Sequence, residues 1–365
     1  MAAAIRTHLL SWTALVPITG VILLAFTWGR SPGTVVVTIV AAALAGSVLA
    51  AVHHAEVVAH RVGEPFGSLI LAVAVTVIEV ALIVTVMVSD SAETSSLARD
   101  TVFAAVMITV NGIIGLSLMV GAVRYETTVF NPEGSGAALA TVATLATVCL
   151  VLPTFTTAEP GPEFSPSQLV FVGLASLTLY VMFVFTQTKR HRDFFLPIGA
   201  DGVIDDEVHA VPPSGKRALL SLGLLMVALV GVVGLAKVDS PAIEAAVKAV
   251  GFPPSFVGVV IALLVLLPET IAAVRASLRQ RIQISLNLGY GSAMASIGLT
   301  IPTISVASIW LGGPLVLGLG STQMVLLALT VIVSVLTVVP GRATRLQGGV
   351  HLVLLAAYLF LAVNP

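Results

Sequence analysis

Charge is what this sequence has least of. Of its 365 residues, 10% are Asp, Glu, Lys or Arg, against 57% hydrophobic. A soluble domain carries about 25% charged residues, so most of this surface cannot face water. The net charge of −1 offers nothing to a nucleic acid or to an acidic soluble partner. A single cysteine, Cys149, lies in an apolar run and excludes an intramolecular disulfide. The glycine-rich phosphate loop of ATP-driven pumps is missing. So are a Ser/His/Asp set and a zinc-hydrolase motif, and neither an enzyme nor a resident cofactor is expected.

What the chain has in abundance is apolar runs. About 20 predominantly apolar residues cross a bilayer, and hydropathy with its polar breaks predicts eleven such helices. They cover 9–28, 34–54, 66–88, 101–123, 136–157, 167–186, 217–237, 254–275, 283–310, 314–339 and 346–363. The first follows Arg6, and no small-residue cleavage site precedes Trp28-Gly29-Arg30, so it reads as a retained span rather than a signal peptide. The expectation is an all-α polytopic protein of the lipid bilayer.

One long hydrophilic stretch, 189–216, divides the chain into a first helix (1–30), five helices (31–188), the linker, and five more (217–365). Of the 17 Lys and Arg, 13 fall on the side of the N-terminus and linker: Arg6, Arg61, Arg124, Lys189, Arg190, Arg192, Lys216, Arg217, Arg275, Arg279, Arg281, Arg342 and Arg345. Arg30, Arg99, Lys237 and Lys248 make up the other 4. That bias predicts an inner-membrane protein with a cytoplasmic N-terminus and linker and an external C-terminus. Placing Glu79 over Glu269 aligns the two halves, with Ile114-Gly115-Leu116-Ser117-Leu118 against Ile297-Gly298-Leu299-Thr300-Ile301. Five is odd, so the halves enter the membrane from opposite sides. Inverted repeats with a midplane site at their interface are a plan of secondary transporters.

Glu79 is the lone ionisable residue of Leu69–Val88, and Glu269 that of Val257–Val274. An acid at a helix centre costs about 2.5–3.5 kcal/mol on insertion scales, so a partner, a cavity or a proton must offset it. Burial disfavours the ionised form of a carboxyl group, so each can hold a proton and exchange it for a cation. The bland reading is a buried ion pair or a helix–helix hydrogen bond, but no Lys or Arg lies deep in any span. Two carboxylates in one site favour a hard cation, Ca²⁺ first, with Na⁺ or K⁺ as alternatives. Thr76, one turn before Glu79, together with Asn111, Ser292 and Ser296, supplies further oxygen donors, although membrane Ser and Thr often bond only their own backbone. Pro268 withdraws the donor that would bond a carbonyl four residues earlier. A site holding one divalent cation or two protons is neutral and an empty one is not, which favours alternating-access exchange over leak.

Other groupings read more plainly. His53, Glu56 and His60 share a helix face and could hold a metal, but an interfacial cluster explains them as well. Asp205-Asp206-Glu207 with His209 reads as solvated linker, and Gly134-Ser135-Gly136 as helix packing. A proton-coupled carrier of an organic solute would want aromatic or basic side chains at mid-membrane, and a channel would want a continuous polar stripe.

The motifs around the two acids resemble the calcium/cation antiporter superfamily, in particular its bacterial ChaA-type branch. The similar stretches are His60 to Gly67 through Thr76-Val77-Ile78-Glu79, Leu266-Leu267-Pro268-Glu269 through Arg279 to Gln283, Gly291 to Gly298, and Asn131-Pro132-Glu133-Gly134. The resemblance implies a one-plus-five-plus-five antiporter exchanging Ca²⁺, Na⁺ or K⁺ for protons, with Glu79 and Glu269 as its essential, cation-binding acids. Calcium/proton exchangers carry Gly-Asn where this chain has Val75-Thr76 and Val265-Leu266, and a glutamine at Ala295, which leaves fewer amide oxygens for Ca²⁺.

Overall fold

The structure, a computed structural model, describes residues 11–30, 33–63, 66–89, 95–198, 213–311 and 314–364. Glu64, the linker acids and His209 lie outside the described residues. In chain order the helices are α1 Trp12–Thr27, α2 Thr34–Val62, α3 Phe66–Ser89, α4 Leu97–Tyr125, α5 Pro132–Thr154, α6 Pro166–Arg190, α7 Gly215–Ala249, α8 Phe256–Leu278, α9 Ile282–Gly298, α10 Thr300–Leu311, α11 Ser321–Val338 and α12 Arg345–Val363. Two short strands, β1 Thr128–Val129 and β2 Arg342–Ala343, join loops. Among the described residues nine spans are long and apolar enough to cross a membrane, α9 and α10 counting as one, and Trp12–Thr27 and Val73–Thr85 are shorter apolar stretches. The protein is therefore all-α and multi-pass, its helices falling in the predicted order.

Polar residues between the apolar runs act as helix starts. Asn131 accepts from the Glu133 and Gly134 amides ahead of α5, with Pro132 at the first helical position. Ser165 with Gln168 opens α6 by a capping box, and Thr344 with Gln347 does so for α12. Four boundaries depart from the sequence expectation. Helix α2 continues from 54 to Val62, keeping His53 to His60 helical. Helix α7 passes through Pro241 to Ala249 instead of ending at 237, because a proline costs a membrane helix one ladder bond without stopping it. Helix α11 starts at Ser321, since the residues before it form an extended strap bonded to Ser95, Pro162 and Leu150. The long ninth span breaks at Leu299 into α9 and α10.

The chain forms two compact units, one from the described residues of Met1–Thr94 and Ala210–Val257, the other from those of Ser95–His209 and Gly258–Pro365. Each draws on both sequence halves. In the first unit, α1 and α7 run parallel, Leu24 standing against Gly234 and the Trp28 ring 5.2 Å from Lys237 Nζ. Helix α2 runs antiparallel to α1, with Ser47 facing Gly20. Pro17 cannot donate to the Thr13 carbonyl, and His54 Nε2 fills that vacancy at 2.9 Å.

In the second unit, α4 and α12 meet through glycines, Gly115 beneath His351 and Gly348 on the Met119 backbone. Helix α8 runs alongside α4 in the same direction, Gly258 against Thr101 and the Ser277 hydroxyl bonded to the Ser117 carbonyl. Strand β1 pairs antiparallel with β2, Thr128 opposite Ala343, and at the far ends of α5 and α11 Glu163 bridges Val316. Gly134 packs on the Phe194 carbonyl, which supports the packing reading of the Gly134-Ser135-Gly136 segment.

A Cβ at Gly348 would lie 2.6 Å from the Met119 nitrogen and 2.8 Å from its Cα, so α4 and α12 would have to part. Overpacking of this kind costs about 1–3 kcal/mol. Gly348→Ala should lower the melting temperature in detergent, while Gly223→Ala, with nothing within 4 Å of the added atom, should not. The buried lone Cys149 gives the readout through a thiol-reactive dye. Equal melting of the two variants would rule out the close seam.

Candidate cation site

In the first unit, α3 buries one face, Ala74, Val75, Ile78, Leu82 and Ile83, and exposes Val73 and Val77. Glu79 lies on the buried face, 2% exposed, with Thr76 one turn before it. The Thr76 hydroxyl is buried and makes no hydrogen bond among the described residues. Burial of a hydroxyl without a partner costs about 1–3 kcal/mol, and the Ser47 hydroxyl of the same unit is buried in the same way.

In the second unit, Glu269 is 7% exposed on α8, between the outward-facing Leu267 and Ile271. Pro268 interrupts the ladder immediately before it. The contacts of Gly258 with Thr101 and of Ser277 with Ser117 put Glu269 level with the turn around Asn111 on α4. That turn, Ile108–Ile113, is a π-turn, a local widening frequent at functional sites. Gly289 of α9 rests on Ile114 and the Thr109 carbonyl, so Ser292 and Ser296 lie within about two turns of the same level. Ser296 is buried and Ser292 half-buried. The second unit thus brings Glu269 and Asn111 to one depth, with Ser292 and Ser296 within about two turns of it, while Glu79 and Thr76 belong to the first.

Asn111 has a role that spacing could not show. Its Nδ2 donates to the Thr330 hydroxyl (2.9 Å), and its Oδ1 accepts from His351 Nδ1 (3.1 Å). His351 Nε2 lies 3.2 Å from the Thr337 hydroxyl. All four side chains are at most 3% exposed. Both ends of the Asn111 amide are therefore engaged in holding the π-turn against α11 and α12. His351, the one Asp, Glu, Lys, Arg or His between Leu346 and Val363, is the sequence signal for this network.

Several motifs serve as fixtures. The Asn131 backbone N–H donates to Gln283 Oε1 (2.7 Å), and Gln283 Nε2 reaches Ser135 and Asn287, tying α5 to α9. Asn287 in turn holds the Phe195 carbonyl at 2.7 Å. At the Glu163–Val316 end, Arg99 pairs with the buried Asp100 at 2.8 Å and donates to the Gly318 carbonyl at 3.2 Å. Among the described residues no three His, Cys, Asp or Glu side chains gather to hold a metal, the His53, Glu56 and His60 face included.

Each of two apolar helices thus carries a lone buried glutamate, with a π-turn and a proline break beside one of them. The family model described as sodium/calcium exchanger protein matches residues 10–189 and 220–364. The chain belongs to the sodium/calcium exchanger protein family. Cation exchange is accordingly the family's activity, and the relatives named below are transporters. The chain is 44% identical over 365 residues to y4hA of Sinorhizobium fredii, named as an ionic transporter, covering 98% of this chain and 97% of that one. It is 34% identical to the sodium-potassium/proton antiporter ChaA of Escherichia coli, with the same coverages. The crystal structure of the H⁺/Ca²⁺ exchanger CAX superposes with a TM-score of 0.72 over 97% of this chain and 88% of that one, at 16% identity. Within this fold the Asn131 motif ties the start of α5 to α9 through Gln283.

Removing the Asn111 amide would strip Thr330 and His351 of a partner at once. Each buried polar group left unsatisfied costs about 1–3 kcal/mol, so Asn111→Ala should destabilise the protein by about 2–6 kcal/mol. The Cys149 dye assay measures this, and an unchanged melting curve would mean that the network bears no load.

Proposed function

We propose that this protein is a secondary antiporter exchanging a cation for protons, with Glu79 and Glu269 as the groups that bind both. One observation carries the reading: each acid is the fourteenth residue of its helix, 13 steps after Phe66 (79 − 66) and after Phe256 (269 − 256), and each is buried. Equivalent placement of two expensive acids fits a duplicated transport element better than two unrelated ion pairs.

The charge balance gives the mechanism. Two bare carboxylates in an apolar wall cost far more than a neutral loaded form. One Ca²⁺, two Na⁺ or K⁺, or two protons neutralise them equally, so the loaded forms change access and the empty form does not. Thr76, Ser292 and Ser296 are the neutral donors that would complete a cation's shell, while Asn111 supports the π-turn beside Glu269. A donor set poor in amide oxygens suits Na⁺ and K⁺ as well as Ca²⁺, in line with the name of the ChaA relative.

Inversion of the two halves is supported by loop pairing in the second unit. The α4–α5 loop pairs with the α11–α12 loop through β1 and β2, and the α5–α6 loop bridges the α10–α11 loop through Glu163 and Val316. Exchanging the halves turns one pairing into the other, at opposite ends of α5. The Lys and Arg bias then sets the N-terminus on the cytoplasmic side and the C-terminus outside.

The test is the fluorescence of a pH dye in everted vesicles. Adding Ca²⁺, Na⁺ or K⁺ singly to vesicles with the wild-type protein should release protons from the lumen and identify the ion. Glu79→Gln or Glu269→Gln should reduce the response to that of vesicles without the protein. Normal exchange in either variant would remove that acid from the mechanism.

A further inference from the structure

One buried acid in the first unit takes no part in the exchange outlined above. Asp239 stands in the last third of α7, 2% exposed, and its Oδ1 is fully enclosed. It makes no hydrogen bond and no ion pair among the described residues. The sequence hid it, because Asp239-Ser240-Pro241 reads as the end of a helix. The helix instead continues, and Asp239 extends the buried stripe of Ser221, Leu225, Ala228, Val232 and Leu235.

No cation on the surrounding elements answers it. Helix α1 has no ionisable residue, α2 has none from Thr34 to Val52, and α3 has none from Val80 to Ser89. On α7 itself, Lys237 is two residues away, which in a helix is nearly the opposite face, and its ammonium lies over the Trp28 ring. Glu244 accepts from the Ser240 hydroxyl at 3.0 Å, and Lys248 is exposed. Arg30 is exposed. Outside the described residues the sequence has one further Lys or Arg, Arg6, which precedes α1, whereas Asp239 lies past α1's last turn.

The depth of Asp239 differs from that of Glu79. Gly215, at the start of α7, lies beside Arg61 at the end of α2, so α7 and α3 begin at about one level. At 1.5 Å per residue Asp239 is then about 36 Å along α7 and Glu79 about 20 Å along α3, an offset of roughly 16 Å. Pro241 cannot donate to the Lys237 carbonyl, so the same turn also carries a backbone acceptor released from the ladder.

We propose that Asp239 is a separate binding station for a singly charged cation, a proton, Na⁺ or K⁺, near the end of the first unit opposite Arg61. A single carboxylate with no second acid on its face is made neutral by one positive charge. A divalent ion would leave a net charge buried in the same wall, which is the costlier state. This station rests on α7 and its neighbours and does not depend on the exchange reading.

The test is infrared difference spectroscopy of the protein in bilayers, between acidic and alkaline buffer and with or without NaCl or KCl. The wild type should show a carboxylic-acid carbonyl band that is lost in Asp239→Asn. Loss of the band on adding salt at constant pH identifies an alkali cation, and loss with alkaline buffer alone identifies the proton. Spectra of wild type and Asp239→Asn that superpose would overturn the proposal. Asn keeps the shape and removes the lone charge, so the variant should melt no lower than wild type in the Cys149 assay. A fall of more than about 3 °C would show a structural pairing instead and would equally overturn it. The band is read without transport, so a failed exchange assay leaves it standing.

Discussion

An apolar wall does not forgive an unanswered polar group, and the rest of this structure follows from how each such group is answered. Pro17 releases the Thr13 carbonyl, and His54 is brought from the next helix to bond it. The widened turn at Ile108–Ile113 is held by an amide whose two ends are taken up by Thr330 and His351. Arg99 enters an apolar region only with Asp100 beside it and the Gly318 carbonyl ahead of it. Against this background Asp239 stands out as a buried acid with no hydrogen bond or ion pair among the described residues.

The second unit shows how little polar contact is needed to fix helices in depth. Two short backbone pairings, β1 with β2 and Glu163 with Val316, tie loops at the two ends of α5 and α11. Between them the helices close on glycines, Gly115 and Gly348 at the α4–α12 seam and Gly289 against α4. Small residues let backbones approach where no hydrophobic force between helices is available. Depth set in this way is what aligns Glu269 with the Asn111 turn and the α9 hydroxyls.

Much of the fold was legible in the sequence because hydropathy adds up along the chain and needs no partner. The order of the apolar helices and the isolation of Glu79 and Glu269 follow from neighbours within a few residues. The misplaced ends had the same local cause. Asp239-Ser240-Pro241 has the composition of a helix stop, yet α7 continues to Ala249 with Asp239, Ser240 and Val247 buried. In the reverse case, the apolar 314–320 segment has the composition of a helix but spends its amides on Ser95, Pro162 and Leu150.

The sequence by itself determined that this is a membrane protein with two costly acids in separate apolar helices, since both facts are properties of single segments. The tertiary structure alone decided what Asn111 does, because its partner His351 is 240 residues away. It alone also decided that Asp239 is buried, and that each compact unit draws helices from both halves of the chain. These depend on which helix faces touch, and a face has no meaning until the helices are packed.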